Sequence, residues 1–531
     1  MWNKTKVLLR IVNTNLDKTK YEIYVLLNIA STLVSLWCIV ILGKLVNLVF
    51  TSCELPWDLV VQYVIASFAI QTASVVMNHI NNDIDVKVSV GIERYCLKKM
   101  YGTSYLRFHN QDSSDITQKI NYDSCNISGT VLFGTIEFLK DLTTIVVCVI
   151  AIFLISPVYM AVVVSFAIAN VMIYVLLKRK LYLIDMAVQE KNMRLFSEFY
   201  RAISKMKSIR NGGLRGECVR KIDNSYGELW KERKRFIHLE NIYSVLKGTT
   251  SVAFQIGILV FGVYGLRKGV VDLSSWIIIT TYFSYINQSV INALEAGKKY
   301  LKLKISINRL WKYISLPQIQ TGDKELNDCN KISFEEMKFS YPNTEKCISI
   351  NCNLEQGKVY WIKGKNGTGK TTMINLLAGL YGTDYVGHIR FDEYEQGEIN
   401  IDEFLKNRVL IVEQFPFIFA DSMSDYFGCN DTNRIKKELH AYKLDAEIIN
   451  EKFQNGTIDA EISGGEKQKL EIVRAMLSDK KIFVFDEITA SLDQTSRNKF
   501  YEEIQEKRDN RIIMMISHEE PQYYDEVINF G

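Results

Sequence analysis

The chain has 531 residues, too many for one compact core. A formal net charge of +4 excludes the strongly basic footprint of nucleic-acid binding, and ten cysteines without a Cys-x-x-Cys pair argue against a metal site or disulfide framework. The 48% hydrophobic content is unevenly spread: nearly all long apolar runs precede residue 300, and the rest is mixed and charge-rich.

The amino-terminal stretch "WNKTKVLLRIVNTNL" sets Val7, Leu8, Ile11 and Val12 on one side among basic residues. Over residues 1–22 this predicts an amphipathic helix lying on the inner membrane surface. No secretory signal is read, because the first apolar run continues for a full span and no small-residue cleavage site follows. A hydrocarbon core of about 30 Å needs roughly 20 apolar helical residues. Six stretches meet this: 23–43, 57–77, 134–155, 157–177, 246–266 and 273–294. Cys38 and Cys148 sit inside them as packing residues.

Residues 78–133 and 178–245 are long and polar, the second dense in Lys and Arg. That bias near span ends places both segments, and the amino terminus, on the cytoplasmic side. Apolar residues still recur at helical spacing through "LIDMAVQEKNMRLFSEFYRAISKMKSI". The persistent period argues for membrane helices continuing into the cytoplasm rather than solvated linkers. One turn is expected near "FHNQDSSDITQKI", where Asp112, Ser113 and Ser114 offer caps, and another near Gly212 and Gly213.

In the sixth stretch Thr281, Tyr285, Gln288, Asn292 and Glu295 follow alternating four- and three-residue steps. They form one polar helix face, which must turn toward a cavity or a neighbouring helix; cavity lining, a candidate translocation path, is the favoured reading. Glu137 and Lys140 are one turn apart, a spacing at which they can pair, with Asp141 beside them, either as a cavity feature or as a cytoplasmic extension of that helix.

These patterns predict a multidomain chain. An all-α six-helix transmembrane domain (23–315) is followed by a linker (316–331) and an α/β P-loop NTPase domain (332–531). In the latter, "VYWIKGKNGTGKTTMINLLAGL" reads as strand, glycine loop and helix, and fits G-x-x-x-x-G-K-[ST] at Gly364, Gly369, Lys370 and Thr371. Glycines let backbone N–H groups close around phosphates, Lys370 neutralises terminal phosphate charge, and Thr371 can offer a hydroxyl to Mg²⁺. "KIFVFDEITASLD" is a buried strand ending in Asp486 and Glu487, suiting a Mg²⁺-holding Asp beside a Glu that polarises attacking water. "RIIMMISHEE" is a further apolar strand, with His518 at its end.

Together these pieces resemble the nucleotide-binding domain of ATP-binding-cassette (ABC) transporters, and the six spans resemble the exporter-type half-transporter. "FSYP" resembles the adenine-stacking loop, implying Tyr341 as ring partner. "VEQFPFIF" resembles the Q-loop, implying that Gln414 serves Mg²⁺ and the contact with the membrane helices. "ISGGEKQK" resembles the signature, with Ile462 and Glu466 for the usual Leu and Gln, and "ASLD" the D-loop, with Ala490 for the usual Ser.

The resemblance implies ATP and Mg²⁺ as cofactors and Glu487, His518 and Gln414 as catalytic residues. Nucleotide contacts are implied for Asn366, Gly367, Thr372, Ser463, Gly464, Gly465 and Asp493 besides the P-loop residues. It implies Thr371, Gln414 and Asp486 around Mg²⁺. In the family the signature helix faces the ATP of a different nucleotide domain. One chain carries one P-loop and one signature, so a second half-transporter is implied, a homodimer in the simpler case. No residue is assigned in "FQNGTIDAE", which matches the family poorly.

The implied activity is ATP-driven export of a peptide, modified peptide or small hydrophobic substrate across the lipid bilayer by alternating access. Helical tips near 112 and 212 would transmit cassette closure. Lipid flipping, or import with the same fold, are the alternatives; a soluble ABC ATPase is excluded by the spans. The roughly 20 residues before the first span cannot hold a leader-cleaving peptidase domain. Only 13 residues follow His518, a curtailed tail. Richness in Lys, Ile and Asn is in keeping with a low-GC bacterium, and with a multi-pass protein of its cell membrane whose termini are cytoplasmic.

Overall fold

The computed structural model describes residues 2–52, 56–108, 113–342, 344 and 347–530. The chain forms two units, residues 1–101 with 111–316, and residues 102–110 with 317–531. Asp112 lies outside the described residues.

The first unit is all helix: α1 (Trp2–Asn15), α2 (Lys18–Ser52), α3 (Trp57–Tyr101), α4 (Ser113–Ser128), α5 (Thr135–Ile155), α6 (Pro157–Ser204), α7 (Met206–Asn211), α8 (Arg215–Arg267) and α9 (Leu273–Ile314). Among the described residues, five helical stretches are long and apolar enough to cross a membrane: Lys18–Val49, Trp57–Tyr101, Ser113–Ile155, Pro157–Ser204 and Arg215–Arg267. The sixth expected span is the helix α9, but it falls outside that set because its polar row lowers its average hydropathy. The 53 residues of α8 reach about 80 Å, far beyond a hydrocarbon core.

Local chemistry fixes the helix ends. Pro157 opens α6, where its missing N–H costs nothing, and the Asp272 carboxylate caps α9 by accepting from Ser275 N–H. A π-helical segment, Gly129–Gly134, joins α4 to α5. Such segments misalign backbone groups, and here Tyr21 Oη donates to the Leu132 carbonyl at 3.1 Å. Gly262 lets α8 close onto α9: a Cβ there would stand 1.9 Å from Trp276 Nε1. Phe166 meets Phe254 and Phe283 edge-on at 5.4 and 5.0 Å within a core built from α2, α5, α6, α8 and α9.

Two expectations change. The apolar side of α1 is not left for lipid, because Leu8, Ile11 and Val12 are buried, with the helix against α3 and α9. Glu137 pairs with Lys299 of α9 at 3.6 Å and not with Lys140, since the inter-helix partner lies nearer than the one along its own helix.

On the polar extensions, Asp123 of α4 is wholly buried and takes a two-pronged grip from Arg309 of α9, at 2.6 and 2.9 Å. Burial pushes the Asp123 carboxyl up, and the Arg309 guanidinium opposes that shift. Arg309→Lys keeps the charge but loses the planar fork. We expect about 1–2 kcal/mol lower stability, read as an earlier thermal transition of the detergent-solubilised protein. An unchanged transition would show that the fork contributes nothing.

The second unit has two sheets. β1 (Lys331–Ser340), β2 (Cys347–Glu355), β4 (Val386–Phe391) and β5 (Tyr394–Glu395) form an antiparallel sheet ordered β2-β1-β4-β5. β3 (Val359–Gly364), β6 (Val409–Val412), β7 (Ile482–Asp486), β8 (Ile512–Ile516) and β9 (Glu526–Phe530) form a parallel sheet ordered β6-β7-β8-β3-β9. The central strands β7 and β8 are apolar up to Asp486 at the end of β7, because both faces are covered.

The helices are α10 (Lys370–Leu377), α11 (Ile401–Arg408), α12 (Met423–Phe427), α13 (Thr432–Ala441), α14 (Ala446–Gln454), α15 (Ile458–Glu461), α16 (Gly464–Leu477) and α17 (Gln494–Lys507). Alternate strand residues feed two cores. Tyr360, Ile362, Val484 and Met514 pack with α10, whereas Phe483, Phe485, Ile513 and Met515 pack with α16 and α17. The P-loop helix and the signature helix therefore cover opposite faces of one sheet.

Residues 317–330, read as linker, are bound into this unit: Ile319 N–H donates to Gly102 O at 2.8 Å, and Asn400 N–H to Lys324 O at 2.8 Å. The stretch between α3 and α4 belongs here too. Tyr105 N–H donates to Leu380 O at 2.8 Å, Ser104 Oγ to Tyr381 O at 3.4 Å, and Leu106 packs on the α10 core.

Candidate nucleotide site and membrane-level cavity

The P-loop spans the step from β3 to α10. Gly367 and Gly369 take φ values of 76° and 114°, which only glycine adopts freely. A Cβ on Gly369 would also stand 2.6 Å from Ile348. Lys370 is buried, and its Nζ donates to Gly364 O at 2.6 Å and Lys365 O at 3.2 Å, inside the ring that its loop makes. Asn366, Gly367 and Thr371 are exposed beside it, and Thr372 is buried. Tyr341 Oη lies 3.0 Å from Thr372 Oγ1 and 3.0 Å from Tyr381 Oη, which fixes that ring next to the loop.

Strand order brings three distant residues together. Gln414, Glu487 and His518 follow the carboxyl ends of β6, β7 and β8, which are neighbours in the sheet. Gln414 Nε2 donates to Glu487 Oε2 at 2.7 Å, and His518 Nε2 stands 2.9 Å from Glu487 Oε1. Glu487 holds φ 53°, a left-handed backbone costing a non-glycine residue about 1 kcal/mol or more. Its N–H donates to Ile516 O at 2.9 Å, which holds that conformation against β8.

Asp486 is pushed up to about 6, chiefly by burial and then by Glu487, with Lys370 opposing. Thr371 hydroxyl, Gln414 amide oxygen and Asp486 carboxylate are an all-oxygen donor set of the kind a hard divalent cation takes. A cation would also relieve the two adjoining carboxylates, so these residues fit Mg²⁺. Below pH 6 Asp486 is mostly protonated. We expect the Mg²⁺ concentration for half-maximal ATPase activity to rise about tenfold from pH 7.5 to pH 5, with excess Mg²⁺ restoring the rate. A flat Mg²⁺ requirement would remove Asp486 from the cation site.

At the signature, Ser463 caps α16: its Oγ accepts from Glu466 N–H, and its own N–H and Oγ–H donate to Glu466 Oε2 at 3.0 and 2.7 Å. This reciprocal cap holds Gly464 and Gly465 at an exposed helix start.

Asp493 is tied into its own loop. Its Oδ1 caps α17 through Ser496 N–H at 2.8 Å and takes Thr495 Oγ1 at 2.7 Å, while Oδ2 meets Lys443 at 3.2 Å and Lys469 at 3.5 Å. These donors hold its carboxyl far below the usual range. These bonds hold the loop after Glu487 in place.

Sequence reasoning missed Gln468. From α16 its Nε2 donates to the Gln414 carbonyl at 2.7 Å, tying the signature helix to the residue that holds Glu487. Between Lys467 and Lys469 it reads as a surface residue, and its burial appears only in the fold.

In the first unit, a cavity of about 590 Å³ is lined by Tyr285, Gln288, Asn292 and Glu295 of the predicted path, with Glu137, Lys140 and Asp141 opposite. Thr281 is not among its walls; its hydroxyl donates to Ile277 O of its own helix at 2.8 Å.

A P-loop on a parallel sheet, with Gln, Glu and His gathered at adjacent strand ends and membrane-length helices in the same chain, defines a membrane-embedded nucleotide-binding protein. The chain belongs to the ABC transporter family: residues 348–490 match the family model described as ABC transporter, and residues 22–290 match that of the ABC transporter transmembrane region. It has the half-transporter order of transmembrane domain then cassette.

It is similar to the lacticin-481/lactococcin-DR transport/processing ATP-binding protein of Lactococcus lactis subsp. lactis, at 22% identity over 95% of this chain and 73% of that protein. It is also similar to the microcin-J25 export ATP-binding/permease protein of Escherichia coli, at 25% identity over 54% of this chain and 51% of that protein. With other relatives the alignment spans only 22% to 45% of their length. Its fold matches the structure of a bacterial Atm1-family ABC exporter with ATP bound, at TM-score 0.77 and 15% identity, over 96% of this chain and 92% of that one.

Proposed function

We propose that two copies of this chain form an ATP-driven exporter that moves a peptide, modified peptide or small hydrophobic substrate through the cavity between its membrane helices. The observation that carries the ATPase part is the Gln414–Glu487–His518 cluster beside the P-loop. Glu487, held by two neutral-capable donors, is placed to accept a proton from water attacking the terminal phosphate. His518 and Gln414 fix its carboxylate, and Lys370 and the P-loop N–H groups neutralise phosphate charge. Thr371, Gln414 and Asp486 would hold Mg²⁺, which would add to the neutralisation of phosphate charge. Tyr341 offers the adenine its ring.

The pairing of two chains is supported by the placement of α10 and α16 on opposite sheet faces, so that one nucleotide has to be shared between a P-loop and a partner's signature. Closure of that shared site favours one state of the membrane helices over the other, which is the energetic link to transport. The stretch 102–108 and the turn at α7 are the segments we assign to passing it on. Peptide cargo is supported by the names of the lactococcal and microcin relatives; a lipid A-core flippase from Blochmanniella pennsylvanica, 31% identical over 35% of this chain and 34% of that protein, supports lipid as the second reading. ATP-dependent accumulation of candidate peptides and dyes in inverted bacterial membrane vesicles tests the proposal. Accumulation only in right-side-out vesicles would make the chain an importer.

A further inference from the structure

Asp141, in an apolar helix of the first unit, shares a cavity wall with Lys140 and Glu137 but forms an ion pair with neither. It is 8% exposed, on the wall of the 590 Å³ cavity. Its Oδ1 accepts from Asn292 Nδ2 at 3.3 Å, and Asn292 Oδ1 in turn accepts from Gln288 Nε2 at 2.9 Å. That chain of amides points donors at the carboxylate but brings no charge. The ion pairs nearby are closed on themselves, Glu137 with Lys299 and Glu295 with Lys247, each at 3.6 Å. Among the described residues no Lys or Arg nitrogen lies within 4.0 Å of the Asp141 carboxylate.

The same wall is rich in acceptors. Thr32 and Thr144 spend their hydroxyl protons on carbonyls one turn back, Asn28 O at 2.7 Å and Lys140 O at 2.9 Å. Ser31 and Ser35 do likewise, to Asn28 O at 3.0 Å and Thr32 O at 2.7 Å. A hydroxyl whose proton is engaged offers only lone pairs to anything else. Four such oxygens and one unpaired carboxylate make a surface that complements a donor-rich cation and repels an anion. An ionisable residue inside a membrane helix bundle is costly without a close counter-charge; Lys140 lines the same cavity but stands outside ion-pair distance of Asp141.

We propose that Asp141 recognises a cationic group on the transported molecule, an ammonium or guanidinium flanked by N–H or O–H donors. This rests on the export reading above. It selects basic peptides or cationic amphiphiles over anionic lipid headgroups.

The test is cargo-stimulated ATPase activity and uptake in reconstituted vesicles, with a short lysine-containing peptide against its Nε-acetylated form, and a cationic rhodamine ester against an uncharged dye of similar size. The wild type should respond to the cationic member of at least one pair at about tenfold lower concentration than to its neutral member. Asp141→Asn should bring that ratio within about twofold, Asp141→Glu should keep it, and Gln288→Glu should widen it. The pair that responds distinguishes peptide from small amphiphile. Equal response to charged and neutral probes in the wild type, or an unchanged ratio in Asp141→Asn, overturns this proposal and leaves export standing. A variant that alters only the pH dependence of uptake overturns it too, since the carboxylate then serves a proton. If no probe stimulates hydrolysis or is accumulated, the export reading falls along with it.

Discussion

Glu487→Gln lowers steady-state ATP hydrolysis by on the order of 100-fold or more, while nucleotide stays bound. The substitution conserves shape and the capacity to sit between Gln414 and His518, which stand 2.7 and 2.9 Å from the native carboxylate. It removes the one property the chemistry needs, a lone pair basic enough to take the proton of attacking water. None of the phosphate-facing groups changes, so ATP affinity in a filter-binding assay stays within a few-fold of wild type. The left-handed backbone at residue 487 is equally uncomfortable for Glu and Gln, so the fold has no reason to respond. His518→Ala, which leaves the carboxylate but frees one oxygen, costs less. Hydrolysis at the wild-type rate in Glu487→Gln would strip that residue of its role and with it the reading of the strand-end cluster.

Much of this site was legible because its chemistry is contiguous. The glycine loop, Lys370 and Thr371 are one run of sequence, and an apolar strand ending in Asp486 and Glu487 needs no partner to be seen. Gln414, Glu487 and His518 could be named separately, but their meeting depends on β6, β7 and β8 lying side by side, which no local pattern states. Illegible parts share one cause: a side chain's partner on another element. Asp493 is named in sequence only through the resemblance, and its bonds to Lys443, Lys469 and the start of α17 appear only in the fold. Glu137 reads as a partner of Lys140 because sequence displays only along-helix neighbours, whereas Lys299 of α9 is the one in reach. The helical period of α1 revealed an apolar face but not what would cover it. Likewise the turn is expected at 108–120, and only contacts with other elements, such as the backbone bonds to Leu380 and Ile319, assign 102–108 to the cassette unit.

Two inactive chains should restore each other. Gly464 and Gly465 have ordinary φ values, and a Cβ on either would meet nothing within 4 Å. The chain's own packing thus gives no reason for glycine there, and the demand must come from something that approaches from outside. In Gly465→Asp a carboxylate stands at the helix start where an anion would bind, and the P-loop of the same chain is untouched. Lys370→Ala removes the phosphate cation and leaves the signature untouched. Each variant alone should lose on the order of 100-fold in ATPase activity. If a P-loop and a partner's signature share each nucleotide, a mixed pair holds one site with both defects and one site with neither. Random pairing of equal amounts makes half of the pairs mixed, so about a quarter of the wild-type sites return. Pairs isolated through two different affinity tags should approach half of the wild-type rate. Recovery to that level requires that one sound site works beside a dead one. No recovery, together with full turnover by a strictly monomeric wild-type preparation, would mean that each chain closes on its own ATP and that the coupling of hydrolysis to the membrane helices needs a different source.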